Sequence, residues 1–136
     1  MKKFLFGLLL AAFFSPCSAQ GEQANARSLA SAVHEYMIAT YGCQRHIGGL
    51  SMYRSAKQTA ENTFVQMGVD RNQAVMLIAQ GDAAIKRDFT PEMLERVKEH
   101  DGIKITAADR TSGCLKTISD AQDNIKLLKA KLGLLK

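Results

Sequence analysis

Three cysteines and three histidines are the side chains best suited to chemistry in this sequence. "YGCQRH" brings one of each together, with Cys43 three residues ahead of His46. Cys43 therefore has three readings: metal ligand, nucleophile, or half of a crosslink. A structural zinc site takes four ligands, usually from two close pairs. The pair at Cys43 and His46 has no counterpart, because Cys114 lies in "TSGCLKT" and nothing in the spacing of His34 and His100 requires them to converge. As a nucleophile, Cys43 would have to stay a free thiolate activated by a base such as His46. Which reading holds depends on the compartment.

The opening residues decide that point. Lys2 and Lys3 precede an apolar run from Phe4 to Phe14, then Ser15, Pro16 and small residues ending at Ala19. This is the plan of a cleaved secretory signal over residues 1–19. The 11-residue run is far short of the roughly 20 needed to span a bilayer core. Attachment of lipid at Cys17 is the alternative, but Pro16 fits poorly where such a site expects a small residue. Cleavage after Ala19 leaves an exported domain over residues 20–136, periplasmic or secreted, that keeps two cysteines. Basic residues fall from 18 to 16 against 13 acids, a net charge of +3, so charge alone demands no acidic partner.

An even cysteine pair in an exported chain reads as a disulfide. Linking Cys43 to Cys114 closes a loop of 72 residues counting both ends, for which the chain-entropy model gives about 4 kcal/mol. Against a usual stability of about 5 to 15 kcal/mol that is decisive. The expected role of Cys43 is a staple, with no metal and no cofactor.

The elements that must bring the cysteines together are helices. Leu29, Val33, Met37 and Tyr41 recur every fourth residue with Tyr36 alongside, after a frayed start at residues 20–26. Ser51 is the expected cap of a second helix carrying Tyr53, Ala56, Ala60, Phe64 and Met67, closed by Gly68. Asp70 and Gln73 open a third as a capping box, with Ala74, Leu77, Ile78, Gly81, Ala84 and Ile85 inward. Gly81 costs about 1 kcal/mol against alanine in a helix, so it suggests close approach by a neighbour. "DFTPEMLERVKEHDG" spells a short fourth helix from Thr90 to Gly102, and "GIKI" one extended stretch. Thr106 and Asp109 open the longest helix, Ala107 to Leu132, whose seam of Thr111, Cys114, Ile118, Ala121, Ile125, Leu128 and Leu132 puts Cys114 on the apolar face. The expected fold is all-α, a single small bundle of four to five helices with one disulfide.

Few other residues carry a signal. His34 and Glu35 begin no H-E-x-x-H, since Ile38 stands in the second histidine's place. Among 13 acids, a pair such as Glu35 and Glu61 says little about two-carboxylate chemistry. No nucleophile elbow, P-loop or dinucleotide-binding glycine pattern occurs. The end, "NIKLLKAKLGLLK", sets Lys126, Lys129, Lys131 and Lys136 among leucines; a helix ending produces this, and so does a contact with a membrane surface or an acidic partner. Without interleaved aromatics it is a poor nucleic-acid footprint.

The expected function is a non-enzymatic exported protein-binding module, of the immunity, chaperone or secretion-accessory kind, whose partner is another exported or envelope protein. Its expected contacts are His46, Gly48, Gly49 and Tyr53 around "HIGGL", and Lys129 and Lys131 near the end. The alternatives are a small cell-envelope hydrolase using a histidine and a carboxylate, and an envelope-associated protein held by its basic C-terminus.

Overall fold

A computed structural model describes the backbone of residues 16–90, 92 and 106–136, and side-chain packing from residue 20 onward. Four helices make up these residues: α1 (Pro16–Gly42), α2 (Ser51–Gln66), α3 (Arg71–Asp88) and α4 (Ala107–Lys131). No strand occurs among the described residues. The short helix expected from Pro91 and the "GIKI" stretch lie outside them, apart from Glu92.

Helix ends follow side-chain grammar at most junctions. The Thr106 hydroxyl accepts from the Asp109 N–H at 3.1 Å and the Asp109 carboxylate accepts from the Thr106 N–H at 3.3 Å, a complete capping box. Asp70 caps α3 by accepting from the Asn72 and Gln73 N–H groups. At the end of α4 the Leu134 N–H reaches the Lys129 carbonyl at 2.9 Å and the Gly133 N–H the Ala130 carbonyl at 3.1 Å. This double bond pattern needs a left-handed residue, which Gly133 supplies at φ +67°. Gly68, at φ +92°, ends α2 in the same way, as its position in the sequence suggests.

Three expectations about the elements change. Ser51 is the first residue of α2 and not its cap; Leu50 holds that place with no side-chain hydrogen bond. Residues 20–26 are helical, which makes α1, at 27 residues, longer than α4 at 25. Glu22, Gln23 and Ala26 line a groove together with Met67, Leu132 and Leu134, so this part of α1 runs beside the ends of α2 and α4. Leu77, expected inward, is 45% exposed. With α3 packed chiefly on one helix, Ala74, Ile78 and Ile85 suffice to bury its narrow inner stripe.

α1 is the axis. It packs along α4 and α2, and touches α3, while α2 and α4 bring no Cα atoms within 8 Å of each other. Serving neighbours on several sides, α1 buries a broad face of Leu29, Ala32, Val33, Tyr36, Met37 and Thr40, wider than the one-in-four stripe its sequence shows. Thr40 is accommodated because its hydroxyl donates back to the Tyr36 carbonyl at 2.9 Å. α4 buries Cys114, Ile118, Ile125 and Leu128 from the expected seam. Cys43 pairs with Cys114, and Tyr36 accepts from Gln122; numbers that rise on one helix as they rise from the opposite end of the other make the two antiparallel.

Candidate functional site

The staple forms as expected. Cys43 and Cys114 are disulfide-bonded with their Cα atoms 5.7 Å apart, inside the usual range of about 4.4 to 6.8 Å. Both cysteines are buried. The bond ties the end of α1 to the second turn of α4. It also anchors the loop that follows, where the His46 N–H donates to the Cys43 carbonyl, the Gly49 N–H to the Gln44 carbonyl, and the Thr111 hydroxyl to the His46 carbonyl. Among the described residues no group of three or more His, Cys, Asp or Glu side chains is placed to hold a metal ion.

Next to the staple lies a cluster that the sequence does not reveal. Tyr53, near the start of α2, is 2% exposed; its ring packs at 57° to that of Tyr41 with centroids 5.1 Å apart. Its hydroxyl donates to Asp82 of α3 at 2.6 Å. Asp82 also faces Lys86 at 2.8 Å and Lys57 at 3.4 Å, and the Lys57 ammonium lies 5.2 Å from the Tyr53 ring centre. Burial works against the Asp82 charge, yet hydrogen bonds from Lys86 and Tyr53 and the nearby Lys57 outweigh it and hold the carboxyl below the usual range. Burial, then the Asp82 bond and charge, push the Tyr53 phenol far above its ordinary pKa. A phenol so hard to ionise is no general base. The cluster is a clasp that closes α3 onto α2.

Tyr53 therefore leaves the set of contact residues, since its ring is in the core and its hydroxyl is engaged. Gly48 is exposed, and His46 and Gly49 are half-buried beside it. Arg45 in the same loop pairs with Glu92 at 2.9 Å in an exposed ion pair, a kind worth little to stability. Of the histidines, His34 is exposed on α1, His46 is in the loop, and His100 lies outside the described residues. Among the described residues neither His34 nor His46 is within hydrogen-bond reach of a carboxylate. Glu35 accepts from Ser31 and Glu61 faces Arg71, so those two acids are engaged separately.

Lys129 and Lys131 lie at the opposite end of the bundle, about 25 Å from Cys114 along α4 at 1.5 Å per residue. Around them, among the described residues, the surface opens into grooves. One, of about 310 Å³, runs between α2 and α4 over Tyr36, with Thr59 on one wall and Gln122, Lys126 and Lys129 on the other. A second, of about 520 Å³, shares Lys129 and reaches Leu134, Leu135 and Lys136. The third, of about 490 Å³, lies between Glu22 and Lys131. Leu127 and Leu135 are 54% and 52% exposed at this end. Lys129 is half-buried, and burial lowers its ammonium pKa. Among the described residues it has no carboxylate within 4 Å. No helix among the described residues is long and apolar enough to cross a membrane.

The six expected contact residues thus divide between two distant ends and form no single site. Compared with protein-family models, with curated proteins and with solved structures, the chain matches none.

Proposed function

We propose that this chain is a non-enzymatic exported protein-binding module, and that the basic end formed by α4 and its tail is the contact surface for another exported or envelope protein. The observation that supports this reading is the grouping there of Lys126, Lys129, Lys131 and Lys136 with exposed Leu127 and Leu135 beside open grooves. Protein interfaces favour apolar anchors inside a polar rim. The loop at Gly48 then serves as scaffold, since backbone hydrogen bonds and the disulfide hold it.

Charge reversal tests the reading. The tagged full chain is crosslinked in its exporting host, and the Lys131→Glu, Lys136→Glu double variant is compared with Lys116→Glu on the far part of α4. The double variant should lose its crosslinked protein and Lys116→Glu should keep it; retention in the double variant would sink the proposal.

The same lysines and exposed leucines support a second reading, contact with an anionic membrane surface. Trimming the last 13 residues is a poor test of it, because Ile125 and Leu128 are core. Leu127→Ser with Leu135→Ser isolates the question: on this reading the double change abolishes sedimentation with phosphatidylglycerol vesicles, and unchanged sedimentation dismisses it.

A further inference from the structure

The groove between α2 and α4 exists because both helices pack on α1 and neither on the other. Its floor is Tyr36, whose hydroxyl is occupied by the Gln122 amide at 3.0 Å. Thr59 of α2, Lys129 of α4 and Leu135, which follows the turn at Gly133, also line it. Its volume, about 310 Å³, is at the lower edge of ligand sites, large enough for a few side chains.

Charge selects the occupant. Two lysines and no acidic side chain line this groove, and the adjoining one adds the Lys136 side chain, again with no acidic side chain. Among the described residues Lys126 reaches only Asp123 of its own helix, at 3.8 Å. Lys129 is different from the exposed lysines of α4, such as Lys116, which is paired with Asp120 at 2.6 Å. It is half-buried with no carboxylate within 4 Å among the described residues. An ammonium withdrawn from water without a counter-charge is costly, and an incoming anion recovers part of that cost. The recess also separates two kinds of anion. A flat bilayer surface meets the exposed Lys126, Lys131 and Lys136, whereas a carboxylate on a side chain can enter between two helices.

We infer that the groove between α2 and α4 receives a carboxylate-bearing segment of the partner protein, with Lys129 as its ion-pair anchor and Leu135 as the apolar wall beside it. This rests on the reading of the basic end as a protein-contact surface. The partner segment presents Asp or Glu flanked by aliphatic side chains, and its binding weakens with salt.

The probe is a short capped peptide of leucine and glutamate, with its leucine–glutamine counterpart as control, titrated into the full exported chain and followed by NMR. The glutamate peptide should shift the signals of Thr59, Gln122 and Lys129 and the glutamine peptide should not. Lys129→Gln should weaken binding about tenfold, the scale of one partly desolvated charge pair, and Lys116→Gln should leave it unchanged. Equal binding by both peptides, equal loss in both lysine variants, or no binding of the glutamate peptide would each overturn the inference. So would phosphatidylglycerol vesicles shifting these signals where the peptide does not. The two proposals fail separately. If Lys131→Glu, Lys136→Glu abolishes crosslinking in the host while Lys129→Gln leaves it intact, the contact surface stands and the groove's role falls. If no protein is ever crosslinked while the peptide binds through Lys129, the groove chemistry stands and the partner reading falls.

Discussion

At one end of the molecule Cys43 is bonded to Cys114, Tyr53 leans on Tyr41 and gives its hydroxyl to Asp82, and the loop carbonyl of His46 accepts from Thr111. At the other end Lys129 and Lys131 stand beside grooves with, among the described residues, no carboxylate within 4 Å. The first end joins all four helices by covalent, aromatic and ionic ties. The second is where α2 and α4 finish with backbone caps beside the early turns of α1, with open clefts between them. On the reading proposed above, the stapled end supplies stability and the basic end recognition, because groups already satisfied inside the fold have little to offer a partner.

The harshest way to break the contrast is to cut the staple. Replacing Cys43 and Cys114 by alanine should cost about 4 kcal/mol in urea unfolding, from a closed loop set by a sequence separation of 71. A loss under about 1 kcal/mol would mean that the stapled end owes its order to packing alone.

Next in size is the clasp. Tyr53→Phe removes a hydrogen bond to a charged acceptor and should cost about 2 kcal/mol. The pH dependence has a fixed sign. Because the Asp82 carboxyl is held below its ordinary pKa in the fold, the unfolded chain takes up that proton first as pH falls. Its contribution is complete above about pH 4 and is lost below it, as pH falls through the folded value. Asp82→Asn should flatten that part of the acid limb. Tyr53 runs the other way. Its raised phenol pKa stabilises the fold up to about pH 10, and that stability fades as pH rises further; Tyr53→Phe should remove this alkaline limb.

A smaller effect has the opposite direction. A methyl built on Gly81 meets the His34 Nδ1 at 3.8 Å and the Met37 Cε at 3.9 Å, ordinary contact distances. The helix thus has room for a side chain there, and Gly81→Ala should gain about 1 kcal/mol from helix propensity. A loss on urea unfolding would restore the close-packing reading that the sequence suggests.

These cases show what the sequence discloses. The staple, the Thr106 and Asp109 box and the α4 seam are legible because each rests on residue type at fixed spacing within one helix, or on the pair of cysteines that remains once residues 1–19 are read as a signal. Asp82 is illegible: it is one acid among 13, and only the arrival of Tyr53 and Lys57 from α2 gives it a role. The width of the α1 face is hidden for a related reason. Periodicity records that a helix buries something, but not how many neighbours it serves, so Ala32 and Thr40 pass unnoticed. Tyr53 reads two ways in the sequence, as part of the inward face of α2 and as a contact residue beside the glycine loop, and its burial with its hydroxyl on Asp82 decides for the first. Lys129 and Lys131 look alike in sequence, and only the gap between α2 and α4 makes Lys129 the recessed one.

The division of labour between the ends meets its most direct test in site-specific photo-crosslinking within the exporting host. One variant carries the crosslinking residue at Leu135 on the basic end, and the other carries it at Leu50, 41% exposed on the stapled end. Leu135 should give a protein adduct and Leu50 none. An adduct from Leu50 with none from Leu135 would contradict it and return recognition to the glycine loop.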